Sequence, residues 1–359
     1  NHMINKDISL LIKPSLYSSY WYDDSQSANN SKSDLYRTEV QMNFNLGENS
    51  LLVGGIEGSV NNVTSSIFGD RNSRGFGIYG QWEYNLSEPL LISVGARYDY
   101  SNIDSLDSSS DISPKIGLNY KLTKSTTLRA SAGKGFRAPT LAEAFASTTT
   151  NGISVKPNPS LQSERSCTFE IGGSQELFSI FFIDLALFHN QYENFIEPLI
   201  DPDDGNIVFD NIEDARVTGL EISGTLSLFK KSWNIKAGYT YLNSEDLATG
   251  KELKYRPKHS YIISSDYFIG SFLFGLDFRH NSKVAEIDDA LIDFGLVPDG
   301  DERVDINVLD LRAGYKLIFG GLPIQLILNA NNILNYNYVE MIGNLGPIRN
   351  YSLSVDFMF

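Results

Sequence analysis

The chain contains little cysteine, methionine and histidine (Cys 1, Met 4, His 4), and it has no long apolar run. The single cysteine, Cys167, excludes an internal disulfide and a zinc site. A transmembrane helix needs about 18 uncharged apolar residues, whereas the nearest run, Leu177 to Phe188, is shorter and contains Asp184. The formal net charge of −15 leaves no basic stripe for phosphates, so nucleic acid is not an expected partner.

Aromatic residues and glycine are abundant instead (Tyr 19, Phe 21, Gly 29), which favours β structure. Apolar and polar residues alternate with a period of two, the period of a strand with one apolar and one polar face. Near the C-terminus one face carries Tyr351, Leu353, Val355 and Phe357, and the other carries Ser352, Ser354 and Asp356. The same period recurs at 90–100, 233–241, 272–279 and 309–316.

The pattern predicts about sixteen such strands, joined by connections that alternate between short and long. Short turns are predicted near 47–49, 87–89, 122–124, 175–177, 230–231, 270–271 and 320–321. Longer polar segments are predicted at 23–34, 63–73, 103–111, 137–162, 194–214, 244–256, 283–301 and 333–347. A soluble β-sandwich has no reason to alternate in this way, whereas outer-membrane barrels have short periplasmic turns and long external loops. The predicted fold is an all-β, transmembrane, antiparallel up-and-down β-barrel in the outer membrane of a Gram-negative bacterium.

Several phrases in the second part of the chain, roughly residues 126–359, resemble a known family. They are Gly135-Phe136-Arg137-Ala138-Pro139, then Asn158-Pro159-Ser160-Leu161, then Asn211 to Glu221 with Gly219 before Leu220-Glu221, then Ala237 to Tyr241 with Arg256 to His259, then Asn329 to Tyr338 with Asn331, and finally Phe357 and the terminal Phe359. In this order they are similar to the signature of TonB-dependent outer-membrane receptors. The terminal phenylalanines resemble the signal that the barrel-assembly machinery recognises.

The resemblance implies structural roles at the external rim for the residues that carry it. These are Phe136, Arg137, Ala138, Pro139, Asn158, Pro159, Leu161, Gly219, Glu221 and Asn331. Pro139 cannot donate to a strand ladder and restricts the residue before it, so we expect a strand to end at this phrase. Residues 140–145 are expected to form a helical turn with Thr140 as its cap.

The resemblance also implies a complete barrel of 22 strands with a plug domain in its lumen. Residues 4–359 are interpreted as barrel domain without a plug, the C-terminal part of such a barrel, and Asn1-His2-Met3 resembles a cloning remnant. A barrel closed by sixteen strands alone is also geometrically permitted. The expected partners are outer-membrane lipid and lipopolysaccharide, the barrel-assembly machinery, and the TonB complex through an N-terminal region that this sequence lacks.

Members of the family take up scarce cargo, and the resemblance implies a small molecule or metal chelate such as a ferric siderophore, or cobalamin. Its contacts are expected in the external loops 137–162, 194–214, 244–256, 283–301 and 333–347 and in the upper lumen. The segment 140–157 contains no histidine, which disfavours haem. The short loops resemble those of a cobalamin-type receptor.

Acidic clusters provide a candidate Ca²⁺ site at Asp201, Asp203 and Asp204, with further acids at Asp288-Asp289 and Asp299 to Glu302. Their spacing does not follow an EF-hand loop, and Asp, Pro and Gly are common turn residues, so solvated turns are the favoured interpretation. Otherwise no cofactor is predicted. The lumen charges Arg97, Arg129, Glu221, Asp277, Arg279 and Arg312 are expected to pair with one another or to hydrate the interior.

Two other functions are known for outer-membrane barrels. An outer-membrane enzyme would need a nucleophile or acid–base set, but no recognisable motif surrounds His189, His259 or His280, so an enzyme is not expected. A passive porin of about sixteen strands is the alternative to a receptor. It usually has an arginine ladder opposite an acidic pore loop, and no such ladder is recognisable here.

Overall fold

The structure is a computed structural model of the chain, and it describes residues 2–23, 28–150, 153–201, 203–293, 303–341 and 344–357. The strands are β1 (His2–Met3), β2 (Ile8–Tyr22), β3 (Asn30–Asn45), β4 (Ser50–Ser65), β5 (Arg71–Ser87), β6 (Leu90–Ile103), β7 (Ser109–Lys121), β8 (Thr126–Arg137), β9 (Thr148–Thr150), β10 (Ile153–Lys156), β11 (Glu164–Leu177), β12 (Phe181–Ile200), β13 (Ile207–Leu228), β14 (Trp233–Asp246), β15 (His259–Ile269), β16 (Phe272–Asn281), β17 (Ile306–Phe319), β18 (Leu322–Asn331), β19 (Val339–Met341), β20 (Asn344–Leu345) and β21 (Asn350–Phe357). The helices are α1 (Leu141–Phe145), α2 (Asp289–Asp293) and a 3₁₀ turn (Phe229–Lys231).

Sixteen of the described strands have eight or more residues, and they form one antiparallel sheet in chain order, as predicted. Seven of them end at or before Arg137 and nine begin after it. Within the described residues, the first long strand, β2, pairs with β1 and β3, and the last, β21, pairs with β18. These sixteen strands therefore do not close on themselves in the structure.

The two faces of the sheet differ in chemistry. In β6, Val94, Tyr98 and Tyr100 are exposed on one face, whereas Arg97 and Asp99 lie on the other and form an ion pair of 2.7 Å. Near the short turns, aromatic rings stack, as in the pair Trp82–Tyr84 with centroids 5.2 Å apart. Near the opposite ends of the strands, Tyr239 stacks on Tyr261 with centroids 4.8 Å apart. An apolar band between two aromatic girdles is the pattern of a transmembrane barrel.

The predicted alternation of short and long connections is present. The described short turns comprise residues 46–49, 88–89, 122–125, 178–180, 229–232, 270–271 and 320–321. The turn predicted at 175–177 lies later, because pairing of β11 with β12 continues to Leu177. Gly320 and Gly321 both have positive φ (61° and 83°), which only glycine adopts without strain. No described helix has the length and apolar character needed to cross a membrane.

The prediction of a long loop at 194–214 was wrong. β12 continues to Ile200 and β13 begins at Ile207, so only residues 201–206 connect them. A tilted spanning strand needs about 9–11 residues, whereas β12 has 20 and β13 has 22, so this hairpin projects beyond the membrane. The extension is a strand because it pairs with β13 as far as Ile200↔Ile207, and Ile196 and Ile200 on it are buried. The predicted loops 23–34, 63–73 and 103–111 are shorter for the same reason, since pairing extends into them.

Candidate functional site at the external rim

The segment between β8 and β11, residues 138–163, folds over the external rim. It begins with α1, whose N-cap is Thr140, as predicted. The Thr140 hydroxyl accepts a hydrogen bond from the Glu143 amide (3.1 Å), and the Glu143 carboxylate accepts one from the Thr140 amide (2.7 Å). This capping box satisfies two donors of a very short helix and fixes the direction in which the chain leaves the strand.

Arg137, the last residue of β8, connects four elements of the rim. Its guanidinium donates to both carboxylate oxygens of Glu164 at the start of β11 and, at 2.9 Å, to Glu143 in α1. Glu164 is buried and also accepts the backbone amide of Ile196 in β12 at 2.7 Å. Arg137 is therefore occupied by carboxylates of the chain itself, which fits a structural role at the rim.

An apolar group beneath α1, here called the rim cluster, holds the segment against the barrel. It consists of Val63, Ile103, Leu141, Ala144, Phe145, Leu161 and Ile196. Phe145 is 6% exposed, and the Arg71 guanidinium lies 4.3 Å above its ring, within the range of a cation–π contact. Ala138 packs against the edge of the cluster. Two predicted signature residues, Leu161 and Ala138, thus anchor the folded-over segment.

The second signature phrase is attached to the β12–β13 hairpin by side-chain amides. Asn158 donates to the Phe209 carbonyl at 2.9 Å and accepts from the Ser160 amide at 3.1 Å. Asn211 donates to the Gln162 carbonyl at 3.0 Å and accepts from the Gln162 amide at 2.8 Å. Asn211 was not predicted as a site residue, and its place in the quoted phrase 211–221 was the only signal for it.

Three open cavities surround the folded-over segment. The largest of the three, about 570 Å³, is lined by Pro139, Pro159, Ser163 and residues 106–110, which comprise the end of the β6–β7 connection and the start of β7. Cavities of about 510 and 430 Å³ open toward the upper lumen. The first of these two is lined by Phe136, Glu57, Arg97 and Asp99, and the second by Val63, Phe68, Arg74, Pro139 and Thr140. Pockets for small molecules commonly have volumes of about 300–1,000 Å³. The external rim and upper lumen are therefore the candidate site.

Gly219 of β13 lies directly beneath an aromatic ring. A Cβ atom at this position would come within 2.3 Å of Cζ of Phe188 and within 2.6 Å of the Tyr241 carbonyl oxygen. Glu221, two residues further on, lies on the same face of the strand, opposite Ala186. The glycine of the signature is thus required for the close approach of the Phe188 ring.

Replacing Gly219 by alanine is expected to destabilise the barrel by about 1–3 kcal/mol, because the clash includes a backbone oxygen that cannot move away. Gly238 of the neighbouring strand is the matched control, since a Cβ there meets nothing within 4 Å. Urea unfolding of both variants, refolded in lipid vesicles, measures the difference. Equal midpoints for Gly219→Ala and Gly238→Ala would show that the ring does not need the glycine.

The last external segment is organised by two adjacent asparagines. Asn331 donates to the Asn350 side chain at 2.8 Å across the β18–β21 pair. Asn332 is 2% exposed and donates to the carbonyls of Tyr336 and Pro347 (2.8 and 3.0 Å). Its φ of 47° is a conformation that asparagine tolerates better than most residues. Asn332 is therefore the organiser of this loop, although only Asn331 was predicted as a signature residue.

The acidic hairpin tip forms local turns. The Asp201 carboxylate accepts the Asp203 amide at 2.9 Å, and the Asp204 carboxylate accepts the Asn206 amide at 3.0 Å and pairs with Lys156. Within the described part of the chain, no three His, Cys, Asp or Glu side chains are arranged to hold a metal ion. Residues 299–302 and the terminal Phe359 lie outside the described residues, as do 294–298 and 342–343 of two predicted loops. The calcium site and the assembly signal stay predictions.

Arg129 and Arg312 of the lumen face pair with acids that lie one or two strands away, as expected. Arg129 binds Asp184 through two hydrogen bonds of 2.6 and 2.8 Å. Arg312 binds Asp266 at 2.6 Å and Asp277 at 3.2 Å. The histidines contact neutral groups instead of carboxylates: His189 contacts Thr218, His259 contacts Tyr239 and His280 contacts Asn307.

Comparison with known proteins gives the family. The model of the family described as "TonB dependent receptor-like, beta-barrel" matches residues 10–333. The vitamin B12 transporter BtuB of Vibrio vulnificus (strain CMCP6) is 24% identical over 255 residues, which is 68% of this chain and 36% of that protein. The hemoglobin and hemoglobin-haptoglobin-binding protein B of Haemophilus influenzae is 31% identical over 157 residues, 39% of this chain and 14% of that protein.

Solved structures show the same fold. The copper transporter OprC superimposes with a TM-score of 0.76 at 15% identity, over 99% of this chain and 63% of that one. The siderophore receptor PirA from Acinetobacter baumannii gives 0.73 at 17% identity, over 94% and 56%. This chain thus spans less than two-thirds of the relatives it matches. Proteins of this kind are outer-membrane β-barrels of Gram-negative bacteria. Since the family model matches most of the chain, this protein belongs to the TonB-dependent receptor-like β-barrel family.

Proposed function

We propose that this chain is the barrel portion of a TonB-dependent receptor for active uptake of a scarce nutrient, a metal chelate such as a ferric siderophore, or cobalamin. The observation that carries the proposal is the family match over residues 10–333. The rim geometry supports it, because open cavities of about 430–570 Å³ lie where cargo would enter the lumen. The vitamin B12 and copper proteins that this chain resembles are transporters by name, and we propose no catalytic reaction for this one.

Cobalamin is the first cargo to test, because the similarity to the vitamin B12 transporter covers 68% of this chain. A siderophore is the second, because siderophore receptors share the fold. Haem is disfavoured by the lack of histidine in residues 140–157, but the haemoglobin-binding relatives make haemin a necessary third probe.

The proposed partners follow from the surfaces of the barrel. The exposed apolar face contacts outer-membrane lipid, and its external edge contacts lipopolysaccharide. Phe357, 52% exposed at the end of β21, and Phe359 present the signal for barrel assembly. The match to the TonB-dependent receptor-like family makes the TonB complex a further proposed partner.

The test is uptake by cells that express the native, full-length protein as their only receptor of this kind. We expect saturable uptake of radiolabelled cyanocobalamin or ferric enterobactin that is lost when TonB is deleted. Uptake that does not saturate and does not require TonB would sink the proposal and favour a passive porin. The intact mass of the native protein, extracted from its own outer membrane, supports the same decision, because a receptor is expected to exceed the 40.0 kDa of this chain.

A further inference from the structure

Three external segments meet at a small group of buried charges. They are the projecting β12–β13 hairpin from residue 194 to residue 212, the connection 251–258, and the described part of the next connection, 282–293. We infer that Arg256 and Asp288 are positioning residues, which lock these three segments into one preassembled wall at the mouth of the barrel. The inference deepens the proposed function, on which its consequence for cargo binding rests. The wall itself can be measured without cargo.

The first contact joins the hairpin to the connection 251–258. Glu197 on β12 is 5% exposed, and its carboxylate pairs with the Arg256 guanidinium. Arg256 also donates to the Lys254 carbonyl at 2.6 Å, and its guanidinium lies 5.6 Å from the centre of the Phe195 ring. Burial raises the pKa of Glu197 above its ordinary value although Arg256 opposes this. Arg256 is thus the main group that favours the ionised form of this buried carboxylate.

The second contact joins the connection 251–258 to the segment 282–293. Asp288 is 3% exposed, accepts the Tyr255 hydroxyl at 2.7 Å and pairs with Lys254. The Asp288 amide donates back to the Tyr255 hydroxyl at 3.0 Å. The backbones also join, since the Tyr255 amide donates to the Glu286 carbonyl at 3.0 Å.

Tyr255 closes the arrangement on its apolar side. Its ring packs with Ile200 and Ile207 at the end of the hairpin. Its hydroxyl donates to the Asp288 carboxylate and accepts from the Asp288 amide. One residue therefore contacts all three segments. The neighbouring isolated bridge between Pro257 and Val284 extends the backbone contact.

The negative charges of Glu197 and Asp288 in this group are balanced by the positive charges of Arg256 and Lys254. All four side chains must therefore be present together. Removing one partner of a buried pair leaves an uncompensated charge, which is far more costly than the loss of an exposed pair. The wall therefore has one assembled state, and it opens by breaking the whole group. Loops that are ordered before binding lose less conformational entropy when cargo arrives, so the assembled wall slows cargo release.

The experiment measures distances between the segments in the full-length protein, in outer-membrane vesicles without cargo. Spin labels are attached after Cys167→Ser at Asp203→Cys, Lys251→Cys and Ala285→Cys, one exposed position on each segment. Pulsed electron paramagnetic resonance is expected to give narrow distance distributions for all three pairs. Arg256→Met and Asp288→Asn are each expected to abolish the narrow peak between position 251 and its partners.

The matched control is Lys156→Met, which removes an ion pair to Asp204 whose side chains are both more than a third exposed. It should leave all three distributions unchanged. The double variant Glu197→Gln with Arg256→Met should recover part of the narrow peak, because it leaves no unpaired buried charge. That recovery is the outcome that a general loss of structure does not produce.

Narrow distributions in both Arg256→Met and Asp288→Asn would overturn the inference, even if uptake proves to be TonB-dependent. If the two variants give broad distributions but the parent protein shows no TonB-dependent uptake, the wall is established and the proposed function is refuted. For a receptor with measured uptake, dissociation of cyanocobalamin or ferric enterobactin is expected to be faster in Arg256→Met than in Lys156→Met. Equal dissociation rates in the two variants would show that the wall does not retain the cargo.

Discussion

Replacing Arg137 by methionine is expected to release residues 138–163 from the rim and to lower their local stability by about 3 kcal/mol. The substitution leaves Glu164, which is 8% exposed, and Glu143 as neighbouring acids without their shared cation. We expect a free-energy loss at the lower end of the range for a broken buried ion pair, because the Arg137 side chain is 41% exposed. Hydrogen exchange of the backbone amides in residues 141–161 measures the release.

The same variant is expected to change the response to acid. Burial acts to raise the pKa of Glu143, but hydrogen bonds from Arg137 and Thr140 outweigh it and hold this pKa below the ordinary value of 4.5. A carboxyl with a lowered pKa contributes stability that is complete above its ordinary pKa and is lost as the pH falls through the lowered one. The protection of residues 141–161 against exchange, relative to the intrinsic exchange rate at each pH, should therefore fall below pH 4.5 in the parent protein.

In Arg137→Met this loss of protection in acid should be smaller, because the main stabiliser of the ionised Glu143 is gone. Arg37→Met is a suitable control, since it also removes an arginine–carboxylate pair, to Glu57 in the lumen. It should not alter exchange in the rim segment. If Arg137→Met and the parent protein show the same exchange at neutral pH and in acid, the assignment of Arg137 as the connector of the rim is wrong.

The barrel was predictable because two solvents act on every strand. Each strand must present apolar side chains to lipid and polar ones to the lumen, so residues such as Tyr98 and Arg97 alternate and the strand count follows. The connections were less predictable. Residues 194–214 contain an acidic, glycine-containing tip that is typical of a loop, and this composition concealed the strand pairing that continues to Ile200.

The contacts of the rim could not be derived from the sequence. Arg137 was recognisable from its phrase, but its partner Glu164 is 27 residues away, and only the folded segment brings them together. Likewise, Tyr255 and Asp288 carry no local pattern that relates one to the other. Gly219 differs from these, because the signature phrase identified its position in the sequence. The physical reason for a glycine there is the ring of Phe188, which lies on another strand.

Phe145→Ala is expected to detach α1 from the barrel, with a loss of about 3–5 kcal/mol in the stability of the rim segment. The side chain is 6% exposed within the rim cluster, and its ring also holds the Arg71 guanidinium at 4.3 Å. The substitution removes apolar burial, the cation–π contact and the packing of Leu141 and Leu161 against the ring at once. Hydrogen exchange in residues 141–161 and the unfolding midpoint of the whole barrel should be measured together.

The exchange should increase by orders of magnitude while the unfolding midpoint changes little, because the segment lies outside the membrane-spanning strands. Phe178→Ala, at a short turn where the ring is 89% exposed, provides the matched loss of a phenylalanine and should change neither quantity. If Phe145→Ala lowers the midpoint as much as it increases the exchange, the rim segment and barrel unfold as one unit. The rim segment would then be stabilised together with the barrel strands, and it could not move separately from them to admit cargo to the cavities.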